Sequence, residues 1–281
     1  MNWIEENYKD GLLNFRIGLK KKLFSGKSPF QTVEVFESEQ HGRVLLNDGA
    51  FMLCERDERI YHEMMAHVPL SCHRQPRRVL IIGGGDGGTA REVLRHSTVE
   101  RCVMVEIDRM VVDACREFIP QTASAFSDPR LELQIADGVD YMKTTVESFD
   151  VILIDSTDPN GAAQPLFGFE FYQDVATRLA PGGVVVAQGE SVFYDQQMQT
   201  TLLQITHGLF AQCALFNFTN MTYPGGLWSM LWASNEVQPL KDLKSLPATL
   251  PMHYYNESVH RAAFQLPEFQ RRAVAPWTKL R

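Results

Sequence analysis

The chain has 281 residues, of which 44% are hydrophobic, and this is enough for one large core and a smaller second domain. Its net charge of −7 and its pI near 5.6 argue against nucleic acid as a partner, because proteins that bind nucleic acid usually carry a basic face. No apolar run approaches the roughly 20 residues that span a bilayer, so we expect a cytoplasmic protein without a membrane partner.

The first recognisable elements are short extended segments between Gln31 and Glu55. They read "TVEVFE", "GRVLL" and "AFMLCE", and turn residues separate them, including Asn47, Asp48 and Gly49. This pattern predicts a small β-meander, and we assign residues 1–56 to an N-terminal β domain.

After Glu55 the sequence alternates between apolar strands and helical segments. The strand segments are "RRVLII", "RCVMVEI", "LELQIA", "FDVILID", "GGVVVAQ", "CALFNF" and "LWSMLWA". The helical segments between them are predicted near 89–96, 109–118, 169–179 and 195–210. This alternation predicts an α/β fold with a mostly parallel doubly wound sheet, which binds ligands beyond the carboxyl ends of its strands.

A glycine-rich turn, "GGGDGG", follows the first buried strand. Gly83, Gly85 and Gly88 fit the dinucleotide pattern G-x-G-x-x-G, although five glycines in six positions satisfy it almost regardless. Asp86 argues against a pyrophosphate, which its carboxylate would repel, and favours a cationic ligand tail. Its alternative role is to cap the helix that follows.

Acidic residues end the next two strands. Glu106 closes "VMVEID", where a carboxylate can accept both ribose hydroxyls of an adenosine ligand. Asp137 and Gly138 follow the third strand and supply a carboxylate and a closely approachable backbone for the amino edge of adenine. We therefore predict an adenosine site.

The stretch "VILIDSTDPNG" places two further carboxylates at the mouth of a buried strand. The strand ends at Asp155, and Asp158 follows three residues later. Two acids at this position suit acid–base chemistry on a bound ligand.

No metal is predicted. His62 and His67 in "HEMMAH" are five residues apart, whereas the zinc-protease motif needs two histidines four apart on one helical face. The five cysteines form no C-x-x-C pair, which argues against a zinc site and a disulfide framework.

Eight stretches together resemble the polyamine aminopropyltransferase family, most closely the spermidine synthases. They cover nearly the whole chain in order: "GRVLLNDG", "ERDERIYHEMMAHVPL", "VLIIGGGDGG", "VEID", "DG", "DSTDP", "TYPGG" and "YYNESVHRAAFQLPEF". The resemblance implies an N-terminal β domain and a Rossmann-like methyltransferase-type domain over residues 57–281. It implies transfer of an aminopropyl group from decarboxylated S-adenosylmethionine, the co-substrate, to putrescine, without a prosthetic group, and a homodimer or homotetramer.

The resemblance also assigns roles to residues. It implies nucleoside contacts from Gln31, Glu106, Asp137 and Gly138, beside the glycine turn at Gly83 and Gly85. It places His62 and Asp86 near the aminopropyl or polyamine region, with Asp155 as the proton acceptor, Asp158 beside it, and Tyr61, Tyr223 and Trp3 as aromatics of the amine pocket. After Asp158 and Pro159 the family often has Gly-Pro, whereas here Gly161 precedes Ala162, in a segment that resembles a mobile lid.

The chemistry of the reaction explains these residue types. An alkyl amine has a pKa of about 10.4 and must lose a proton before it can attack the carbon beside a sulfonium. We expect Asp155 and Asp158, assisted by Tyr61, to take that proton, with burial and the second acid raising one of the two pKa values. Asp86 would attract the aminopropyl ammonium and repel the carboxylate of intact S-adenosylmethionine.

Other functions remain open at this stage. The fold and amine pocket would also suit an S-adenosylmethionine-dependent N-methyltransferase acting on a diamine, and an acceptor other than putrescine would need only modest changes in pocket depth. An NAD-dependent oxidoreductase and a catalytically silent polyamine-binding protein are further alternatives.

Overall fold

Two β-sheets organise the chain in the structure, a computed structural model that describes residues 2–9, 11–159, 161–244 and 250–280. Sheet A has the order β1-β2-β3-β4-β5 and is antiparallel throughout. Its strands are β1 (Asn2–Tyr8), β2 (Leu13–Lys27), β3 (Thr32–Ser38), β4 (Arg43–Asn47) and β5 (Ala50–Cys54). The predicted meander is β3 to β5, and β1 and β2 are additional strands that the sequence did not indicate.

Sheet B has the order β11-β12-β10-β9-β6-β7-β8. Strands β6 to β10 run parallel, and β11 and β12 pair antiparallel at one edge, so the predicted mostly parallel sheet is confirmed. The strands are β6 (Arg78–Gly83), β7 (Arg101–Glu106), β8 (Leu131–Ile135), β9 (Phe149–Asp155), β10 (Leu179–Ser191), β11 (Gln212–Thr219) and β12 (Leu227–Ser234).

Helices connect the strands and cover both faces of sheet B. They are α1 (Glu58–Cys72), α2 (Gly88–Leu94), α3 (Arg109–Phe118), α4 (Pro120–Ala123), α5 (Gly138–Thr144), α6 (Phe169–Arg178), α7 (Gln196–Leu209), α8 (Glu257–Ala263) and α9 (Glu268–Val274). Within the part of the chain that the structure describes, no helix has the length and apolarity needed to cross a bilayer.

The continuous apolar runs of the central strands follow from burial on both faces. In β9, Val151 and Leu153 pack on the α1 side of the sheet, whereas Ile152 and Ile154 pack on the α6 and α7 side. A strand covered on both faces needs no polar alternation, which is typical of parallel sheets.

Sheet A is fixed against sheet B through α3. Val33 and Val35 of β3 and Leu45 of β4 share one apolar cluster with Val111 and Ala114 of α3. This packing places sheet A beside the carboxyl end of β7, and the two sheets enclose a cavity there.

Candidate active site

A cavity of about 340 Å³ lies between sheet A and the carboxyl ends of the central strands of sheet B. Parallel sheets leave such a crevice where ligands bind. Its lining includes every predicted site residue except Trp3: Gln31, Tyr61, His62, Gly83, Gly85, Asp86, Glu106, Asp137, Gly138, Asp155, Asp158 and Tyr223.

The glycine turn after β6 lies against the end of β9. Gly83 has φ +85°, and a Cβ there would lie 2.1 Å from the carbonyl oxygen of Asp155. The Gly84 N–H donates to that same oxygen at 2.9 Å. A Cβ on Gly85 would lie 2.8 Å from Glu106 Oε2. Glycine is needed here because the turn packs directly on neighbouring strand ends.

The predicted nucleoside residues meet around α3 and α5. Glu106 is buried, its Oε1 accepts the Asp108 N–H at 2.8 Å, and burial raises its pKa to about 7. Gln31 Nε2 donates to Asp108 Oδ2 at 3.0 Å, which ties sheet A to this corner. Asp137 Oδ1 caps α5 by accepting the Val139 N–H at 2.7 Å.

Asp155 is held by two hydroxyl groups. Tyr61 donates to Oδ1 at 2.7 Å, and Thr89 donates to Oδ2 at 2.6 Å. Burial raises the pKa of Asp155, and the charge of Asp86 raises it further. Burial also keeps the pKa of Tyr61 well above its usual value, so the phenol stays a donor. The carboxylate is therefore fixed in orientation and is a stronger base than an exposed aspartate.

His62 lies between two carboxylates. Its Nδ1 is 2.6 Å from Glu58 Oε2, and its Nε2 is 3.3 Å from Asp86 Oδ1. Burial lowers the pKa of His62, but Asp86 and Glu58 together raise it to about 10, so the ring is an imidazolium at neutral pH. Asp86 Oδ1 also accepts the N–H of Gly88, the first residue of α2, at 2.7 Å, although the N-cap position itself is Gly87, and Asp86 lines the cavity.

Tyr223 lines the cavity next to β5. Its hydroxyl donates to the Met52 carbonyl oxygen at 3.0 Å, and its ring makes an edge contact with Tyr61 at a centroid distance of 5.8 Å. The two tyrosine rings are therefore perpendicular neighbours, and the hydroxyl of Tyr61 is the one that donates to Asp155.

Asp158 belongs to an acidic end of the cavity that sequence reasoning only partly found. Burial, followed by the charge of Asp195, raises its pKa to about 6. Glu6 of β1 also lines this region, and burial raises its pKa to about 7 although its Oε2 accepts the Phe51 N–H at 2.8 Å. Burial and the charge of Asp158 raise the pKa of Glu190, whose carboxylate accepts a bond from Gln188 Nε2 at 2.8 Å.

Tyr8 is a second cavity residue that the sequence reasoning missed. Its hydroxyl donates to Asp195 at the start of α7, which anchors β1 over the acidic end. Ile4, Glu6 and Tyr8 recur with period two and face inward on β1, so strand alternation was the available signal.

Trp3 is the predicted substrate-binding residue that lies outside the cavity lining. It lies on the opposite face of β1 from Glu6 and Tyr8, it is 39% exposed, and the Arg16 guanidinium covers its ring at 4.6 Å. The resemblance assigned Trp3 by its place in the chain, whereas the alternation of the strand decides which face of β1 a side chain occupies.

His62 and His67 lie in different surroundings on α1. His67 Nδ1 is 2.8 Å from His96 Nε2, and its Nε2 is 3.0 Å from Glu92, away from the cavity lining. Among the described residues, no group of three or more His, Cys, Asp or Glu side chains is arranged to hold a metal ion.

Comparison with known proteins gives consistent matches over both sheets. A family model described as the spermine/spermidine synthase domain matches residues 58–245, and one described as the spermidine synthase tetramerisation domain matches residues 2–55. Among curated proteins, spermidine synthase 1 of Pisum sativum is 42% identical over 268 residues, covering 92% of this chain and 80% of its own length. The polyamine aminopropyltransferase of Thermotoga maritima is 40% identical over 276 residues, covering 97% and 93%.

A solved structure of similar shape is a spermidine synthase in complex with the transition-state analogue AdoDATO. It superposes with a TM-score of 0.95 at 39% sequence identity, and the match covers 98% of this chain and 95% of that one.

Proposed function

The chain belongs to the spermine/spermidine synthase family of transferases, and from this premise we propose that it moves the aminopropyl group of decarboxylated S-adenosylmethionine to putrescine. The products are spermidine and 5′-methylthioadenosine. The complex of a similar spermidine synthase with AdoDATO supports a site that holds both reactants at once.

The charge of the cavity is the observation that carries this proposal. Among the described residues that line it, none is Lys or Arg, and His62 is engaged by Glu58 and Asp86. The acidic lining residues are Glu6, Asp48, Asp86, Glu106, Asp137, Asp155 and Asp158. Such a lining suits ligands that carry positive charge on sulfur and nitrogen and opposes anionic ones.

Asp155 is the proposed proton acceptor. The attacking nitrogen of the diamine must give up a proton to present its lone pair, and a buried carboxylate with a raised pKa takes that proton more readily than an exposed one. Tyr61 and Thr89 keep its two oxygens in place, and Asp155 lines the cavity. Positive charge moves from sulfur to nitrogen during the transfer, so an anion on the nitrogen side favours the transition state.

The acidic end is the proposed site of the second ammonium of the diamine. Asp158, Glu6 and the nearby Glu190 all have raised pKa values in the ligand-free protein because burial and repulsion from neighbouring carboxylates favour their protonated forms. A bound ammonium would reverse this by lowering those pKa values, so amine binding and ionisation of the cluster are coupled. The separation of this cluster from Asp155 would set the preferred length of the acceptor.

Asp86 is the proposed selector of the donor. The ammonium of the aminopropyl tail would pair with its carboxylate, and the extra carboxylate of intact S-adenosylmethionine would be repelled. Glu106, Gln31, Asp137 and Gly138 are proposed to hold the nucleoside. A diamine N-methyltransferase would use the same fold, and Asp86 argues against it.

Product analysis tests the proposal. The protein is incubated with decarboxylated S-adenosylmethionine and each of 1,3-diaminopropane, putrescine, cadaverine and spermidine, and the products are identified by mass spectrometry. We expect spermidine and 5′-methylthioadenosine from putrescine, and a rate at least about 100-fold lower for Asp155→Asn, because general-base catalysis contributes ~10²- to 10⁴-fold.

Intact S-adenosylmethionine is the matched control donor. Wild type should use it poorly, and Asp86→Ile should narrow the difference between the two donors. Equal turnover of both donors by wild type, or methylated diamine as the product, would contradict the proposal.

The proposal also covers the oligomeric state of the protein and its location in the cell. The match of residues 2–55 to a tetramerisation domain supports a homo-oligomer, which we propose to be a dimer or tetramer acting in the cytoplasm.

A further inference from the structure

Asn47, at the end of β4, has a buried amide oxygen that accepts no hydrogen bond from the described residues. The residue is 7% exposed and lines the cavity, yet Oδ1 has no hydrogen-bond partner among the described residues. A buried polar atom without a partner costs about 1 to 3 kcal/mol, so such atoms in a binding cavity point to a ligand group that completes them.

The register of sheet A shows which way this side chain points. Asn47 stands directly opposite Val33 of β3, and directly opposed residues in an antiparallel pair project from the same face. Leu45, two residues earlier on β4, shares that face. Val33 and Leu45 share one apolar cluster with Val111, in the first turn of α3, so Asn47 lies on the face of sheet A that covers this turn.

The same turn leads directly to Glu106. A Cβ built on Gly85 would lie 2.8 Å from Glu106 Oε2 and 2.8 Å from Val111 Cγ1. The side chains of Glu106 and Val111 are therefore neighbours. Gln31, two residues before Val33, reaches Asp108, whose N–H is bonded to Glu106. Asn47 and the carboxylate proposed to hold the ribose therefore line the same corner of the cavity, Asn47 from sheet A and Glu106 from sheet B.

We propose that Asn47 is a nucleoside-binding residue whose amide oxygen accepts a hydrogen bond from one ribose hydroxyl of the donor. This inference rests on the proposed function and adds a contact to it. Glu106 already accepts the backbone N–H groups of Asp108 and Gly85, and an acceptor on sheet A would share the two hydroxyl donors of the ribose diol with it.

Calorimetric titration with 5′-methylthioadenosine and with its 2′-deoxy and 3′-deoxy analogues tests the contact. Asn47→Leu keeps the size of the side chain and removes the acceptor, and we expect it to weaken binding of 5′-methylthioadenosine about five-fold, the value of one ordinary hydrogen bond. Wild type should bind one of the two deoxy analogues more weakly than 5′-methylthioadenosine. Asn47→Leu should bind that analogue and 5′-methylthioadenosine almost equally, because the variant already lacks the partner of the missing hydroxyl. The KM for putrescine should not change.

Two further variants control for folding. Asn14→Leu makes the same change at an exposed position of sheet A outside the cavity lining and should bind all three nucleosides as wild type does. Asn47→Thr introduces a residue favoured in strands that keeps an acceptor, so it should bind more tightly than Asn47→Leu. Thermal unfolding of each variant checks that it is folded.

The outcomes separate this inference from the proposed function. If wild type and Asn47→Leu bind 5′-methylthioadenosine equally, or if the variant weakens all three nucleosides by the same factor, the ribose contact is wrong while the proposed function stands. If wild type binds none of the nucleosides, both fail.

Discussion

The buried carboxyl group of Glu106 destabilises the ligand-free protein but is suited to binding a ligand. Its carboxyl group is buried at the end of β7 without a cationic partner, and burial raises its pKa from 4.5 to about 7. Since an ionised buried carboxylate is costly, the ligand-free protein carries a destabilising group that ribose hydroxyls would satisfy on binding.

Replacement of Glu106 by Gln should therefore stabilise the ligand-free protein at high pH. A carboxyl group with a higher pKa when folded contributes stability that is complete below pH 4.5 and is lost as the pH rises through about 7. We expect the free energy of unfolding at pH 8 to be higher in Glu106→Gln by up to about 3 kcal/mol, with little difference at pH 4.5. Urea denaturation at both pH values measures this.

Glu5→Gln, at an exposed position of β1, is the control and should change stability little. A Glu106→Gln protein that is less stable than wild type at pH 8 would contradict this account of the residue.

At the scale of elements, α1 connects the site to the core. All of its residues except Arg59 and Ile60 are buried, and it presents Tyr61 and His62 to the cavity. Glu58 ties it to α2, because its carboxylate receives two bonds from the Arg91 guanidinium, each of 2.9 Å. Burial raises the pKa of Glu58, but His62 and Arg91 lower it by more, so the pKa lies below its usual range.

Glu58→Gln should disturb this junction in two measurable ways. It leaves Arg91 with a weakened partner near a buried position, so we expect a loss of about 3 kcal/mol in the free energy of unfolding. It also removes one of the two carboxylates that raise the pKa of His62 to about 10, so that pKa should fall. Denaturation and an NMR titration of the imidazole follow the two effects.

Glu257→Gln, which alters an exposed i,i+4 ion pair with Arg261, is the matched control and should cost less than about 0.5 kcal/mol. An unchanged His62 titration in Glu58→Gln would show that Glu58 does not hold the charge of the ring.

At the scale of the whole molecule, β2 is incompletely covered. It is 15 residues long and none of its residues is buried, although Phe15, Ile17 and Phe24 are apolar. Long strands with half-exposed apolar residues are usually covered in the native assembly, because open sheet edges and faces invite association.

Light scattering after size exclusion should therefore give a mass two or four times that of the 31.9 kDa chain. The measurement is repeated over a dilution series, since a weak dimer would dissociate. A monomer at every concentration would contradict the proposed assembly.

The sequence alone predicted the central sheet and most residues that line the candidate site. Strands buried on both faces read as continuous apolar runs, and the residues that end them, such as Asp155 and Glu106, must meet at one edge because parallel strands share their carboxyl ends. Helix α1 was missed as an element because burial on all sides removes the amphipathic period that marks a surface helix.

Only the tertiary structure decided what sheet A contributes. The face of β1 that meets the cavity brings Glu6 and Tyr8 to it and leaves Trp3 outside, and the register of β3 and β4 puts Asn47 on the face of sheet A that covers α3. The pKa values of Asp155, Asp158 and His62 likewise arise from burial and from partners distant in the chain. The local sequence shows which residues alternate between the two faces of a strand. Which of those faces is buried depends on packing between segments far apart in the chain.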